Sequence, residues 1–299
     1  MAHYISSDNL TRLLKLLTKD YSVYVPVKQG DQRFYARYSE GLADMTIGEV
    51  RAFEPLKAFF FSARQRVAED FKPGMPSQDP KPSCIVGKKA CDLKGFKVQD
   101  HVFKGEDFED PFYRKRRDET LIIASDCTCA IATCFCLALG VKPYPQEAFD
   151  LSLAEVKGGF VVESGSDKGE ALLKNHYGLF EEASSGQISE RDRRRERVVA
   201  EVEKNIKTNE VPAQEDLEGR VEKHFESKLW SEEAETCVEC GACNTICPTC
   251  HCFLLYDQKD EKKMARLKIW DSCLLKNFAR VAGGANPRPK LWMRLRNRF

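Results

Sequence analysis

The chain has 299 residues, 42% hydrophobic and 31% charged, with a net charge of +1. This is enough apolar material to build a core in one large or two modest domains, and so even a charge gives no reason to expect nucleic acid or a membrane as partner. The longest apolar runs, residues 121–124 and 130–139, fall short of the ~18 residues a spanning helix needs.

Ser7 or Asp8 is expected to cap a helix on which Leu10, Leu13, Leu14 and Leu17 share one face. Residues 21–27 alternate and are rich in β-branched and aromatic side chains, so they read as a strand. Residues 72–82 hold Pro73, Pro76, Pro80 and Pro82 with Gly74 and read as a loop. Further strands are expected at 84–87, 121–125 and 159–163, with a helix at 168–176. The turn from Gly165 to Gly169 reads as an ordinary capped turn, with phosphate contact at the helix N-terminus as the alternative. Neither G-x-G-x-x-G nor G-x-x-x-x-G-K-[ST] occurs.

Between residues 181 and 229, Arg191, Arg193, Arg194, Arg195 and Arg197 interleave with Glu190, Asp192 and Glu196. Val198, Val199, Val202 and Ile206 leave only a sparse apolar face, and a break is expected near Pro212. This is a solvated helical connector in the plain reading and an anion-binding patch in the sharper one. Residues 272–299 carry Lys276, Arg280, Arg288, Lys290, Arg294, Arg296 and Arg298 and no acid, which suggests either docking on an acidic partner or a frayed basic tail.

Thirteen cysteines narrow the class. Secreted disulfide frameworks suit short, loop-rich chains behind a signal peptide, and the N-terminus here lacks the basic-then-apolar order of one. A cytoplasmic chain with metal-bound or reactive thiols is expected. The run Cys237, Cys240, Cys243, Cys247, Pro248 is C-x2-C-x2-C-x3-C-P, the spacing of a bacterial ferredoxin. Three thiolates two residues apart wrap one cubane cluster within a single loop, and Gly241 permits the backbone turn this requires. Zinc, the rival, usually takes two Cys pairs split by a longer spacer. In two-cluster ferredoxins the fourth Cys of such a run ligates the other cluster. Cys250, Cys252 and Cys273 then bring the C-terminal thiols to seven, one short of two cubanes, so either one is spare or a partner completes a cluster.

A second constellation is Cys127, Cys129, Cys134 and Cys136, with Cys91 and Cys84 upstream. The first pair follows the apolar run at 121–124, and strand ends are a usual place for ligands. No Ser/His/Asp arrangement is readable, and His251, between two cysteines, is the one histidine near an expected site. The chain is therefore expected to be α+β. It would comprise an N-terminal α+β domain over 1–180, a charged helical connector over 181–229, and a helical ferredoxin-like iron–sulfur domain over 230–299.

The motifs Gly87-Lys88-Lys89-Ala90-Cys91-Asp92-Leu93, Thr133-Cys134-Phe135-Cys136, Cys247-Pro248-Thr249-Cys250-His251-Cys252-Phe253, Trp270-Asp271-Ser272-Cys273 and Ala282-Gly283-Gly284-Ala285-Asn286-Pro287-Arg288 resemble those of the 4Fe–4S dicluster electron-transfer proteins found as sulfhydrogenase beta subunits and in anaerobic sulfite reductase. The resemblance implies two or three [4Fe–4S] clusters. Their ligands would be drawn from Cys237, Cys240, Cys243 and Cys247, from Cys91, Cys127, Cys134 and Cys136, and from Cys250, Cys252 and Cys273. Cys84 and Cys129 fall outside the resembling motifs. It further implies partners: a flavin/NAD(P)H-binding subunit, together with another iron–sulfur or catalytic subunit. Relatives continue with a second ferredoxin run. The expectation here is that a separate subunit supplies it, as in the split iron–sulfur subunits of flavin oxidoreductases feeding heterodisulfide reductase, or that the chain is cut short. The expected function is an electron relay without a catalytic site of its own. The alternatives are a catalytic oxidoreductase subunit whose N-terminal cysteines reduce a substrate, and a zinc-stabilised scaffold.

Overall fold

The computed structural model describes residues 2–70, 72–74, 81–217, 219–260 and 263–299. Its strands are β1 (His3–Ser6), β2 (Ser22–Gln29), β3 (Gln32–Arg37), β4 (Arg64–Glu69), β5 (Lys72–Pro73), β6 (Ser83–Lys88), β7 (Leu121–Ser125), β8 (Leu151–Val156), β9 (Gly159–Ser164), β10 (Glu181–Glu182), β11 (Phe253–Asp260) and β12 (Lys263–Trp270). The chain divides into two compact units, one of Met1–Phe60 with Ser77–Pro212, the other of Phe61–Pro76 with Ala213–Phe299.

The first unit is built on an eight-stranded sheet of order β10-β1-β9-β8-β7-β6-β2-β3. A mixture of helices and strands was expected and is found, but the centre of this sheet is parallel: β2, β6, β7 and β8 run the same way. Parallel neighbours need long crossovers. Helices Ala90–Phe103 and Pro111–Glu119 supply the one from β6 to β7. The one from β7 to β8 is a loop whose only helical piece is a short turn at Cys136–Leu139. All five residues of β7 are buried, as suits a strand covered on both faces. Helix Ser7–Leu17 buries Leu10, Leu13, Leu14 and Leu17 as its spacing requires. Its cap is Ser6 rather than Ser7 or Asp8; the Ser6 hydroxyl accepts from the Asn9 amide at 3.2 Å. The turn before helix Asp167–Asn175 is an ordinary capped one, Ser166 Oγ accepting from Gly169 N at 3.2 Å.

β6 carries a register shift between Val86 and Lys88, where Gly87 sits at φ 79°. This is a bulge of the kind that needs glycine, and it re-aims the residues that follow. Lys88 and Lys89 are consequently both buried instead of alternating in and out.

The second unit holds a four-stranded antiparallel sheet of order β11-β12-β4-β5. Helix was expected across this C-terminal region, yet β11 and β12 form a hairpin paired from Phe253↔Trp270 to Asp260↔Lys263. The period is two from Met264 to Leu267, with Ala265 and Leu267 buried and Met264 and Arg266 facing out, and it breaks at Lys268, which is also buried. Lys72 and Pro73, read as loop, pair with β4 instead; positions 75–80 of that loop lie outside the described residues. Among the described residues, no helix is long and apolar enough to cross a membrane.

Candidate metal centres

In the first unit the carboxyl ends of the adjacent parallel strands β6 and β7 open on one side of the sheet, the usual position for a ligand in such sheets. Cys91 lies in the first turn of the helix after β6, and Cys127 stands two residues beyond β7. There a cavity of about 440 Å³ is lined by Cys91, Cys127, Cys129, Cys134 and Cys136. The four thiols expected as one set are thus gathered, and Cys129 joins them. Cys84 does not: it is fully buried in the apolar core of the sheet. Burial pushes the Cys127 thiol up to about 12, with Lys89 opposing. Burial also raises Cys91 and Cys136, each helped by a neighbouring thiol or carboxylate. Such thiols stay protonated unless a cation offsets the thiolate charge, and iron of a cluster is such a cation. Thiolates are the donors a [4Fe–4S] group takes, and the cavity gathers five thiols that could supply them.

The wall of this cavity comes from the segment read as a solvated connector. Helix Ser185–Thr208 starts with a capping box of Ser184 and Gln187. It buries Val198 and Val202, which line the cavity. Its polar side chains hold the backbone of the cysteine loop. Glu201 accepts from the Ala130 amide at 2.9 Å, and Arg197 donates to Thr128 O at 2.9 Å. Asn205 donates to Ile131 O at 2.7 Å and Asn209 to Ala132 O at 2.8 Å. Arg195 grips Asp126 at 2.6 and 3.2 Å. The charge run showed a helix; nothing in its local pattern showed that it clamps a loop seventy residues away.

In the second unit, Cys237, Cys240 and Cys243 are exposed on the ferredoxin-type loop, while Cys247, Cys250 and Cys252 are half-buried and Cys273 is buried. Gly241 has φ 72°, the left-handed conformation that the loop demands. Glu239 adopts φ 58° without being glycine, and its carboxylate is held by Arg294 at 2.8 Å. Arg294 is 1% exposed. It also donates to Leu274 O at 3.0 Å, Arg288 O at 3.1 Å and Pro289 O at 2.9 Å. Arg296 stacks on the Phe225 ring at 3.4 Å and donates to Phe225 O at 2.7 Å. Arg298 donates to Cys250 Sγ at 3.7 Å and Cys243 O at 3.2 Å. Two of the seven basic residues read as a docking or frayed tail, Arg294 and Arg298, thus brace the thiol region itself, while Arg296 holds Phe225 upstream of it.

The remaining thiols touch one another. Cys250 and Thr249 hydrogen-bond to Cys247 and draw its pKa down. Cys252 and Cys273 share a hydrogen bond that raises the first and lowers the second. The buried Asn244 amide donates to Cys250 Sγ at 3.6 Å and to Cys273 Sγ at 3.3 Å. His251 turns its Nδ1 to Thr249 O at 3.0 Å. Among the described residues, no three His, Cys, Asp or Glu side chains converge on the spacing of a single ion; the corners of a cubane set its ligands wider than one ion does.

The thiol run and its flanks agree with what is known of other proteins. Residues 236–299 match the family model of a 4Fe–4S dicluster domain, so the chain is an iron–sulfur protein carrying 4Fe–4S clusters, of the electron-transfer class. Over 279 residues it is 28% identical to sulfhydrogenase 2 subunit beta of Pyrococcus furiosus, an alignment covering 93% of this chain and 80% of that one. Both findings support the sulfhydrogenase beta and 4Fe–4S family to which the motifs point. No solved structure matches the chain.

Proposed function

We propose that this chain relays electrons within a hetero-oligomer, linking a flavin/NAD(P)H-binding subunit to a terminal reductase or hydrogenase subunit. The observation that carries the reading is a thiol collection in each unit: the five-thiol cavity of the first and the seven thiols of the second. When bound, [4Fe–4S] clusters supply one-electron transfer at potentials set by charge, hydrogen bonds and solvent exposure. The chain's own residues do the rest. Cys91, Cys127, Cys134 and Cys136 hold one cluster, and Val198 and Val202 keep water from it. Cys237, Cys240 and Cys243 hold another on an exposed loop, where a partner can approach. The fifth cavity thiol, Cys129, favours the second reading, a substrate-reducing site, because a cubane takes four ligands.

Iron analysis of full-length variants tests the relay. Cys240→Ala and Cys134→Ala are each expected to lower iron by about four atoms per chain. The reduced wild-type protein should pass electrons to an artificial acceptor yet turn over no small substrate. Unchanged iron in both variants would sink the assignment, and turnover abolished by Cys129→Ala would favour the second reading.

A further inference from the structure

The ferredoxin rule assigns the fourth Cys of a run to a different cluster from the first three. Cys247 therefore needs three companions, and the fold of the second unit brings three to it. Cys250 and Cys252 stand just before β11 and Cys273 just after β12. The hairpin is paired along its whole length, Phe253 opposite Trp270 at its open end, and Asp271 N donates to Cys252 O at 3.0 Å. It thereby closes the long gap in sequence and sets Cys273 against Cys252. Cys250 touches Cys247 in the same way. Asn244, 3% exposed, bridges the two pairs, its Nδ2 lying 3.6 Å from Cys250 Sγ and 3.3 Å from Cys273 Sγ. Arg298 adds a cation at Cys250, 3.7 Å away, where thiolate charge would gather.

Resting on the reading that this unit carries clusters, we infer that its seven thiols divide into a closed set and an open one. Cys247, Cys250, Cys252 and Cys273 hold one [4Fe–4S] cluster without help from another chain. Cys237, Cys240 and Cys243 form a three-thiolate set whose fourth ligand comes from outside the seven. Asn244 is the hinge of the division. Its carbonyl Oδ1 lies 3.5 Å from Cys243 Sγ of the open set, and its amide faces the closed one. The amide N–H groups on Cys250 and Cys273 stabilise thiolate charge there.

The test compares iron and acid-labile sulfide in anaerobically reconstituted full-length wild type, Cys240→Ala, the pair Cys252→Ala/Cys273→Ala, and the triple variant. The pair should lose about four iron atoms, Cys240→Ala a different set of about four, and the triple variant both. Persistence of the first unit's paramagnetic signal shows that the first unit has folded, and retention of the other set's iron in Cys240→Ala and in the pair shows that the second has. The division is overturned if the pair keeps all its iron, or if the triple variant loses no more than either parent, since the seven thiols would then serve one cluster. If Cys134→Ala alone empties the full-length chain of iron, the reading of the second unit fails before its division is asked, and both fall. A retained three-iron signal in the single variant Cys273→Ser, absent in Cys240→Ser, would assign Cys273 to the closed set independently.

Discussion

Lys89 is 2% exposed, and its ammonium donates to Ser125 Oγ at 2.6 Å, Ile47 O at 2.7 Å and Asp126 O at 2.9 Å. Burial pulls its pKa down, while Cys127, Asp126, Cys91 and Cys129 act to restore it. Three acceptors match the three N–H bonds of an ammonium, so the site is built for a cation beside the cavity thiols. A fixed positive charge stabilises the reduced, more negative state of a cluster. Lys89→Met is therefore expected to lower the midpoint potential of the first unit's cluster by tens of millivolts, read by paramagnetic resonance during a redox titration. A potential equal to wild type, with iron content intact, would show that the charge plays no such part. In the sequence Lys89 is one letter of a family-like motif. Its burial follows from the bulge at Gly87, which local spacing does not reveal.

At the level of elements, helix Ser185–Thr208 has the most to say. Its Asn205 and the capping Asn209 reach the carbonyls of Ile131 and Ala132 in the cysteine loop. Each such hydrogen bond contributes about 1 kcal/mol. Asn205→Ala/Asn209→Ala should therefore loosen the loop by about 2 kcal/mol and speed iron release from the first unit to a chelator, roughly tenfold or more. Release from the second unit should keep its wild-type rate, and equal acceleration of both phases would argue against the clamp. The helix was legible, since Val198, Val199, Val202 and Ile206 mark a sparse face; its start at the capping box of Ser184 and Gln187 came from the structure. Its partners were not, because a charged side chain carries no local sign of which distant carbonyl it meets. The hairpin of β11 and β12 was missed for another reason: exposed, apolar Met264 and buried, charged Lys268 blur the alternation that Ala265, Arg266 and Leu267 carry.

Across the whole molecule, the two units rest on different foundations. The first has a core of buried apolar residues including Ile5, Leu13, Leu14, Val25, Ile123 and Val162, which owes nothing to metal ligands. The second carries Cys237, Cys240, Cys243, Cys247, Cys250, Cys252 and Cys273 in a short stretch, three of them exposed. The clusters proposed for so thiol-rich a segment would supply much of its folding energy. Stripping iron from the full chain with a chelator under reducing conditions should leave amide protection in β6 and β7 near its wild-type level. Protection around residues 237–252 should collapse. Hydrogen exchange read by mass spectrometry checks this, and uniform loss across both units would contradict it.

The sequence by itself determined what is local. Iron–sulfur chemistry was readable from C-x2-C-x2-C-x3-C-P, because one loop's spacing suffices to wrap a cubane. The helix at 7–17 and the strand at 121–125 were readable because their periods act over a few residues. Only the tertiary structure decided which distant groups meet. Cys91 joins Cys127, Cys129, Cys134 and Cys136 because β6 and β7 pair in parallel and end together. Cys273 meets Cys252 because a hairpin in full register returns the chain to its start. Arg294 turns inward because Glu239 and the carbonyls of Leu274, Arg288 and Pro289 accept from it there. Strand register and long-range hydrogen bonds depend on the whole fold, and no window of neighbouring residues contains them.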